Sequence, residues 1–227
     1  AISAKNGNVV SARLLKYPLS IHEKNSPMSI LSQSNGRLYV AQSGLTNIGQ
    51  KSLNFQSAQN SYLLSPTQKT LAVVVKSQTK QGLQITKTYT VTRGSYAVKQ
   101  STTVKNKGRK TWSGSFYNQL MQKQAGSTSA FSRSYTGAAI STHDKPYQKM
   151  TYKKLAQQDI SQNIEGGWVA FQQPYFLSAW APQTEIENHY YSRSFSDKGQ
   201  TFILGYVGPQ VRVLPGKSVT NGSTLYV

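Results

Sequence analysis

The sequence predicts an all-β protein made of two packed antiparallel sheets. Three observations carry this. Ile85, Lys87, Tyr89 and Val91 alternate with Thr86, Thr88, Thr90 and Thr92, a period-two pattern rich in β-branched residues. Turn signals recur every ~8–15 residues. Helical periodicity is confined to residues 152–158, two turns at most. Frequent turns and almost no helix favour a sandwich over a helix-backed sheet.

In chain order, residues 9–15, 28–31 and 37–42 read as strands, with Asn35-Gly36 as a hairpin turn. Residues 44–59, rich in Ser, Asn and Gln, are the expected mobile loop. A strand over 71–76 follows. The alternating stretch 85–92 ends at Arg93-Gly94, and 96–104 alternates again. Lys107-Gly108 then turns the chain into a strand over 111–122. These last three strands are expected to form a meander. Residues 168–173 and 176–180 are apolar strands separated by Pro174. Residues 202–207, 211–214 and 218–227 close the chain, with turns at Gly208-Pro209 and Pro215-Gly216. Residues 165–182 hold two of the three tryptophans and one charge, Glu165. They read as core, with Trp168 and Trp180 anchored between the sheets. No internal repeat or linker divides residues 1–227, so one domain is expected.

Charge is sparse and one-sided. Charged residues make up 15% of the 227, against about 25% in typical domains. Lys plus Arg number 26 and Asp plus Glu 7, a net charge of +19. Between Lys24 and Thr142 there are fifteen cations and no acid. This favours polyanionic partners, an anionic membrane surface among them. The alternative is a scatter of solvated lysines. The densest group, Lys105, Lys107, Arg109 and Lys110 around Gly108, reads as a basic hairpin tip. No run of about 18 apolar residues is present, so no membrane-spanning helix is expected. Residues 1–14 lack the apolar core of a signal peptide, and the chain reads as cut from something longer. The absence of cysteine excludes thiol catalysis, zinc–thiolate sites and disulfides.

Five blocks then resemble a known family. They are Tyr39-Val40-Ala41-Gln42-Ser43-Gly44-Leu45-Thr46, Arg93-Gly94-Ser95-Tyr96-Ala97-Val98, and Gly137-Ala138-Ala139-Ile140-Ser141-Thr142 with Tyr147-Gln148-Lys149. The fourth runs from Gly166-Gly167-Trp168-Val169-Ala170 through Tyr175-Phe176 to Trp180. The fifth is Asn221-Gly222-Ser223-Thr224-Leu225-Tyr226-Val227. In order and spacing they resemble the large periplasmic domain of the bacterial membrane-protein insertase YidC, Gram-negative form. The resemblance implies a β-supersandwich similar to galactose mutarotase. It implies a periplasmic location within an inner-membrane protein. It also implies neighbours: the Sec translocon with its accessory subunits, and membrane-protein substrates.

A mutarotase needs a glutamate and a histidine converging in a cleft. Of the three histidines, His22 and His143 match no such motif. Glu185, Glu187 and His189 would share one face of a strand; the expected reading is a solvated hairpin. Fold likeness does not transfer activity, so a non-catalytic interaction domain is expected, monomeric when isolated, with no cofactor, no metal and no nucleic acid partner. Partner or membrane contact is expected at Lys105, Lys107, Arg109, Lys110, Lys123 and Arg133, within the stretch 108–142 and its basic tip. The alternative is a carbohydrate- or lipid-like-ligand module, with Trp112, Tyr117 and Tyr175 lining a cleft. Trp112, next to Lys110 and a turn, is expected to be exposed.

Overall fold

The computed structural model describes residues 1–19, 22–34, 36–124, 135–196 and 200–227. The first strands are β1 (Ala12–Pro18), β2 (Pro27–Ser34), β3 (Arg37–Leu45), β4 (Gln56–Ser57), β5 (Thr70–Gln78), β6 (Leu83–Thr92) and β7 (Ala97–Asn106). Then come β8 (Trp112–Gly114), β9 (Phe116–Lys123), β10 (Gly137–Ser141), β11 (Gln148–Met150), α1 (Tyr152–Gln157), β12 (Ser161–Glu165) and β13 (Trp168–Gln172). The chain closes with β14 (Leu177–Pro182), β15 (Glu187–Phe195), β16 (Thr201–Val207), β17 (Val211–Val213) and β18 (Ser218–Tyr226).

Among the described residues the strands form a nine-stranded sheet in the order β11-β10-β13-β14-β18-β7-β6-β5-β4. A seven-stranded sheet runs β1-β2-β3-β9-β16-β15-β12, and β17 pairs with β8. All pairings are antiparallel. The alternation read in 85–92 is the pleat of β6: Leu83, Ile85, Lys87 and Tyr89 face inward, and the threonines face out. The expected meander is corrected at its third strand. β6 pairs β7, but β7 goes on to β18, while β9 lies in the other sheet between β3 and β16. Periodicity fixes which face is buried, not which sheet a strand joins. Glycine and serine at 114–115 let the chain break between β8 and β9 and cross over.

Two apolar clusters fill the space between the sheets. One gathers Trp180, Phe171, Tyr39, Leu120 and Leu204; the other gathers Trp112, Phe116, Leu83, Val104, Leu53 and Phe55. A buried polar chain also ties the sheets together. Asn118 Nδ2 of β9 donates to Ser223 Oγ of β18 at 3.1 Å, Ser223 Oγ donates to Gln100 Oε1 at 2.7 Å, and Gln100 Nε2 donates to Thr102 Oγ1 at 2.5 Å. Each of these four buried side chains thereby finds a partner, without which its burial would be costly. The stretch 44–59, expected to be mobile, is instead pinned by the buried Leu53 and Phe55. Trp180 is an inter-sheet anchor as expected; Trp168 is only half-buried, beside the Tyr147 ring at 6.0 Å.

Candidate interaction surfaces

The basic tip is built by one amide. β7 leaves its sheet at the fully buried Asn106, whose Nδ2 donates to the carbonyls of Lys110 and Val213 at 2.8 Å each. Its Oδ1 accepts from Gly108 N at 2.9 Å. Lys107 N donates to Gly82 O at 2.9 Å, and a Cβ on Gly108 would run into the Gln81 carbonyl. The loop is thus folded against the 79–82 turn and β17. It projects Lys105, Lys107, Arg109 and Lys110, all exposed. The structure brings together these four of the six expected contact residues. Lys123 is half-buried at the far end of β9, about 25 Å along the strand. Arg133, like all of 125–134, lies outside the described residues.

Of the three expected cleft residues, Tyr117 lines a groove. On the outer face of the seven-stranded sheet, Tyr117, Gln119, Tyr191, Arg193, His189 and Phe195 surround a cavity of about 480 Å3. Gly44 and Gly205 leave room for the Tyr117 and Gln119 side chains, which a Cβ at either position would meet. Tyr191 donates its hydroxyl to Gln119 Oε1 at 2.6 Å, and burial raises the pKa of this tyrosine above the usual phenol range. Sequence reasoning missed Tyr191, Arg193 and Phe195. Their signal was the period-two spacing from His189 onward. Trp112, expected to be exposed, is corrected: it is 5% exposed and packs edge-on to Phe116, its Nε1 donating to Asn47 O at 3.1 Å. Its neighbours in sequence face water while its own ring turns under β8. Tyr175 is 87% exposed, at the tip of the β13–β14 turn.

The acid–base trio does not converge. β15 places Glu187 and His189 on one outer face, whereas Glu185 precedes the strand. Glu185 instead lines a polar trough of about 720 Å3 on the outer face of the nine-stranded sheet, with Thr88, Lys99, Ser101 and Thr224. His189 bonds Asn163 Oδ1 at 2.9 Å and lies 3.3 Å from Ser161 Oγ. Asn163 Nδ2 donates to Glu187 at 3.3 Å. These bonds lace an edge strand to its neighbour.

One ionisable group sits deep inside. Lys87 is 2% exposed, and its Nζ donates to Asn6 O at 2.8 Å and to Ser43 O at 2.6 Å. The Phe55 ring lies 5.1 Å away. Burial lowers the amine to about 7, while the two carbonyls and the ring work in the opposite sense. The amine ties the N-terminal segment and β3 to β6 across the sandwich. The sequence placed Lys87 on the apolar face of β6, which was the signal.

These features define a β-supersandwich of the galactose-mutarotase type that carries exposed basic and aromatic surfaces. A galactose mutarotase-like protein from Lactobacillus casei matches with a TM-score of 0.51 at 9% identity, over 82% of this chain and 84% of that one. An α-galactosidase from Geobacillus stearothermophilus matches with a TM-score of 0.51 at 9% identity, over 95% of this chain and 35% of that one. At such identities the likeness is one of fold. The chain belongs to the YidC periplasmic domain family, whose model matches residues 1–227. The membrane protein insertase YidC of Coxiella burnetii is 42% identical over the whole chain and 41% of its own length. That of Legionella pneumophila is 36% identical over the whole chain and 42% of its own length. The chain therefore spans about two-fifths of these relatives. It is a periplasmic domain, and no helix among the described residues is long and apolar enough to cross a membrane.

Proposed function

We propose that this chain is the non-catalytic interaction domain of a membrane-protein insertase of the Gram-negative inner membrane. It acts as one domain over residues 1–227, monomeric when isolated and without cofactor. It contacts emerging membrane-protein chains, the accessory subunits of the Sec translocon and the membrane surface. The observation that carries this reading is the built basic tip. Three exposed cations stand on a loop held by a buried asparagine and a fourth, Lys105, at the end of β7, so a partner meets a fixed backbone and little ordering entropy is lost on contact. Photo-crosslinking residues placed at Lys107 and Arg109 of the full-length insertase test it. Adducts with translocon subunits or emerging chains are expected, well above those from Lys76 on β5. Equal yields at all three positions would refute a partner surface at the tip.

The groove at Tyr117 and Tyr191 favours a second reading, a carbohydrate- or lipid-like-ligand module, because its walls are aromatic and its rim holds Arg193. Titration with monosaccharides and a short-chain alkyl glycoside, followed by tyrosine ring resonances, decides it. Saturable shifts confined to Tyr117 and Tyr191 support this reading, and flat resonances at millimolar ligand oppose it.

A further inference from the structure

Three stretches far apart in sequence bring exposed apolar side chains to one end of the molecule. β1 supplies Leu15, 82% exposed, and Tyr17; the β6–β7 turn supplies Tyr96; the β13–β14 turn supplies Tyr175 and Leu177. Tyr226 joins them at the end of β18. The Tyr17 and Phe176 rings meet edge to face at 5.8 Å. Tyr96 lies beside Tyr17, whose hydroxyl raises its pKa. Val227 N donates to Tyr96 O at 3.1 Å, and Tyr226 lies across from Ala97 on one side and Ala179 on the other. These contacts make one continuous surface. Arg93 extends it by donating to the carbonyls of Leu64 and Ser65, which seats the exposed Leu63 beside the turn.

Cations ring this surface. Arg13 and Lys16 stand on β1 among the leucines and Tyr17, Arg93 lies in the turn, and Lys99 is two residues into β7. The β1–β2 loop adds His22, Glu23 and Lys24, with Glu23 the one acid of this neighbourhood in the sequence. A contiguous exposed apolar patch marks a contact surface. Tyrosines set among leucines and flanked by Lys and Arg suit the boundary between lipid headgroups and acyl chains, where the ring is buried and the hydroxyl stays wet.

We propose that this end of the domain seats on an anionic lipid bilayer, with Leu15, Tyr17, Tyr96, Tyr175 and Leu177 entering the headgroup layer and the surrounding cations meeting lipid phosphates. The inference deepens the membrane-contact part of the proposed function and rests on it. It orients the molecule: β7 runs from Ala97, next to Tyr96, to Asn106, so the basic tip stands about 30 Å from the lipid, free for protein partners.

Vesicle flotation of the 227-residue chain tests this, with phosphatidylglycerol–phosphatidylcholine and pure phosphatidylcholine vesicles in about 0.1 M salt, where the Debye length is about 10 Å. The double variant Leu15→Ser/Tyr175→Ser alters highly exposed side chains, and its fold is verified by thermal melting. It is expected to bind anionic vesicles about tenfold more weakly than the parent. The tip variant Lys107→Glu/Arg109→Glu is expected to bind within about twofold of the parent. Tryptophan emission of Leu15→Trp is expected to shift to the blue on anionic vesicles. Loss of binding in the tip variant with retention in the patch variant would overturn the proposal while leaving a membrane contact in place. No binding by the parent chain to either vesicle would overturn it together with the membrane part of the proposed function. The crosslinks at Lys107 and Arg109 test the partner surface independently.

Discussion

The two ends of β7 carry opposite surfaces. At Asn106 the chain folds back on a buried amide and presents four cations, with the exposed Leu214 of the adjoining turn beside them. At Tyr96 it turns through Gly94 and presents tyrosines and leucines gathered from three segments. The difference follows from how each end is held. The tip is held by hydrogen bonds from a core amide, so its side chains are left to water. The other end is held by ring edges and strand termini, so its apolar side chains are shared between packing and surface. A domain with one charged end and one aromatic end can face two kinds of neighbour at once.

Asn106→Ala should break the tip and leave the aromatic end intact. Three hydrogen bonds of a fully buried side chain are lost, two of them leaving carbonyls to find new partners. The expected cost is about 3–4 kcal/mol in urea unfolding. Hydrogen exchange should rise in 106–112 but not around Tyr96.

Between the two ends, Lys87 sets a pH dependence. Burial holds its amine near 7, against 10.5 in an exposed lysine. Between these values the unfolded chain binds more protons than the folded one, so stability rises with pH. The slope should reach up to about 1.4 kcal/mol per pH unit above pH 7. Buried tyrosines such as Tyr39 and Tyr190 have pKa values raised by burial, so they reverse the trend above about pH 10. Denaturation between pH 7 and 9.5 should show the rise in the parent and not in Lys87→Met.

Gly108→Ala should cost about 2 kcal/mol, because its Cβ would meet the Gln81 carbonyl and part the tip from the 79–82 turn. The smallest effect belongs to the aromatic end. Leu15→Ser and Tyr175→Ser should each change unfolding free energy by less than about 0.5 kcal/mol, since both side chains face water. A larger loss would mean that these residues serve the fold rather than the surface.

The architecture was largely legible. β6 and β7 were readable residue by residue, because one buried face imposes period two. β10 and β15 were not. Gly137-Ala138-Ala139 lacks β-branched side chains and is buried on both faces, so it shows no alternation. β15 turns Asn188, Tyr190 and Ser192 inward, so its buried face contains polar residues. The basic tip was legible as a local cluster. The aromatic end was not, because Tyr17, Tyr96 and Tyr175 are adjacent only after folding, and an aromatic residue in a sequence reads first as core. Trp112 shows the same limit from the other side: charged neighbours in sequence say little about a ring that turns inward.

The proposed seating puts one end of the domain in lipid and the other in water. The chain has no cysteine, so Tyr175→Cys and Arg109→Cys each accept a single spin label without competition. Their accessibility to oxygen and to a water-soluble relaxing agent, measured on phosphatidylglycerol-containing vesicles, reads depth directly. The label at 175 should lie at the headgroup–acyl boundary and the label at 109 in bulk water. Both labels in bulk water, or the label at 109 in lipid and that at 175 outside it, would contradict the account.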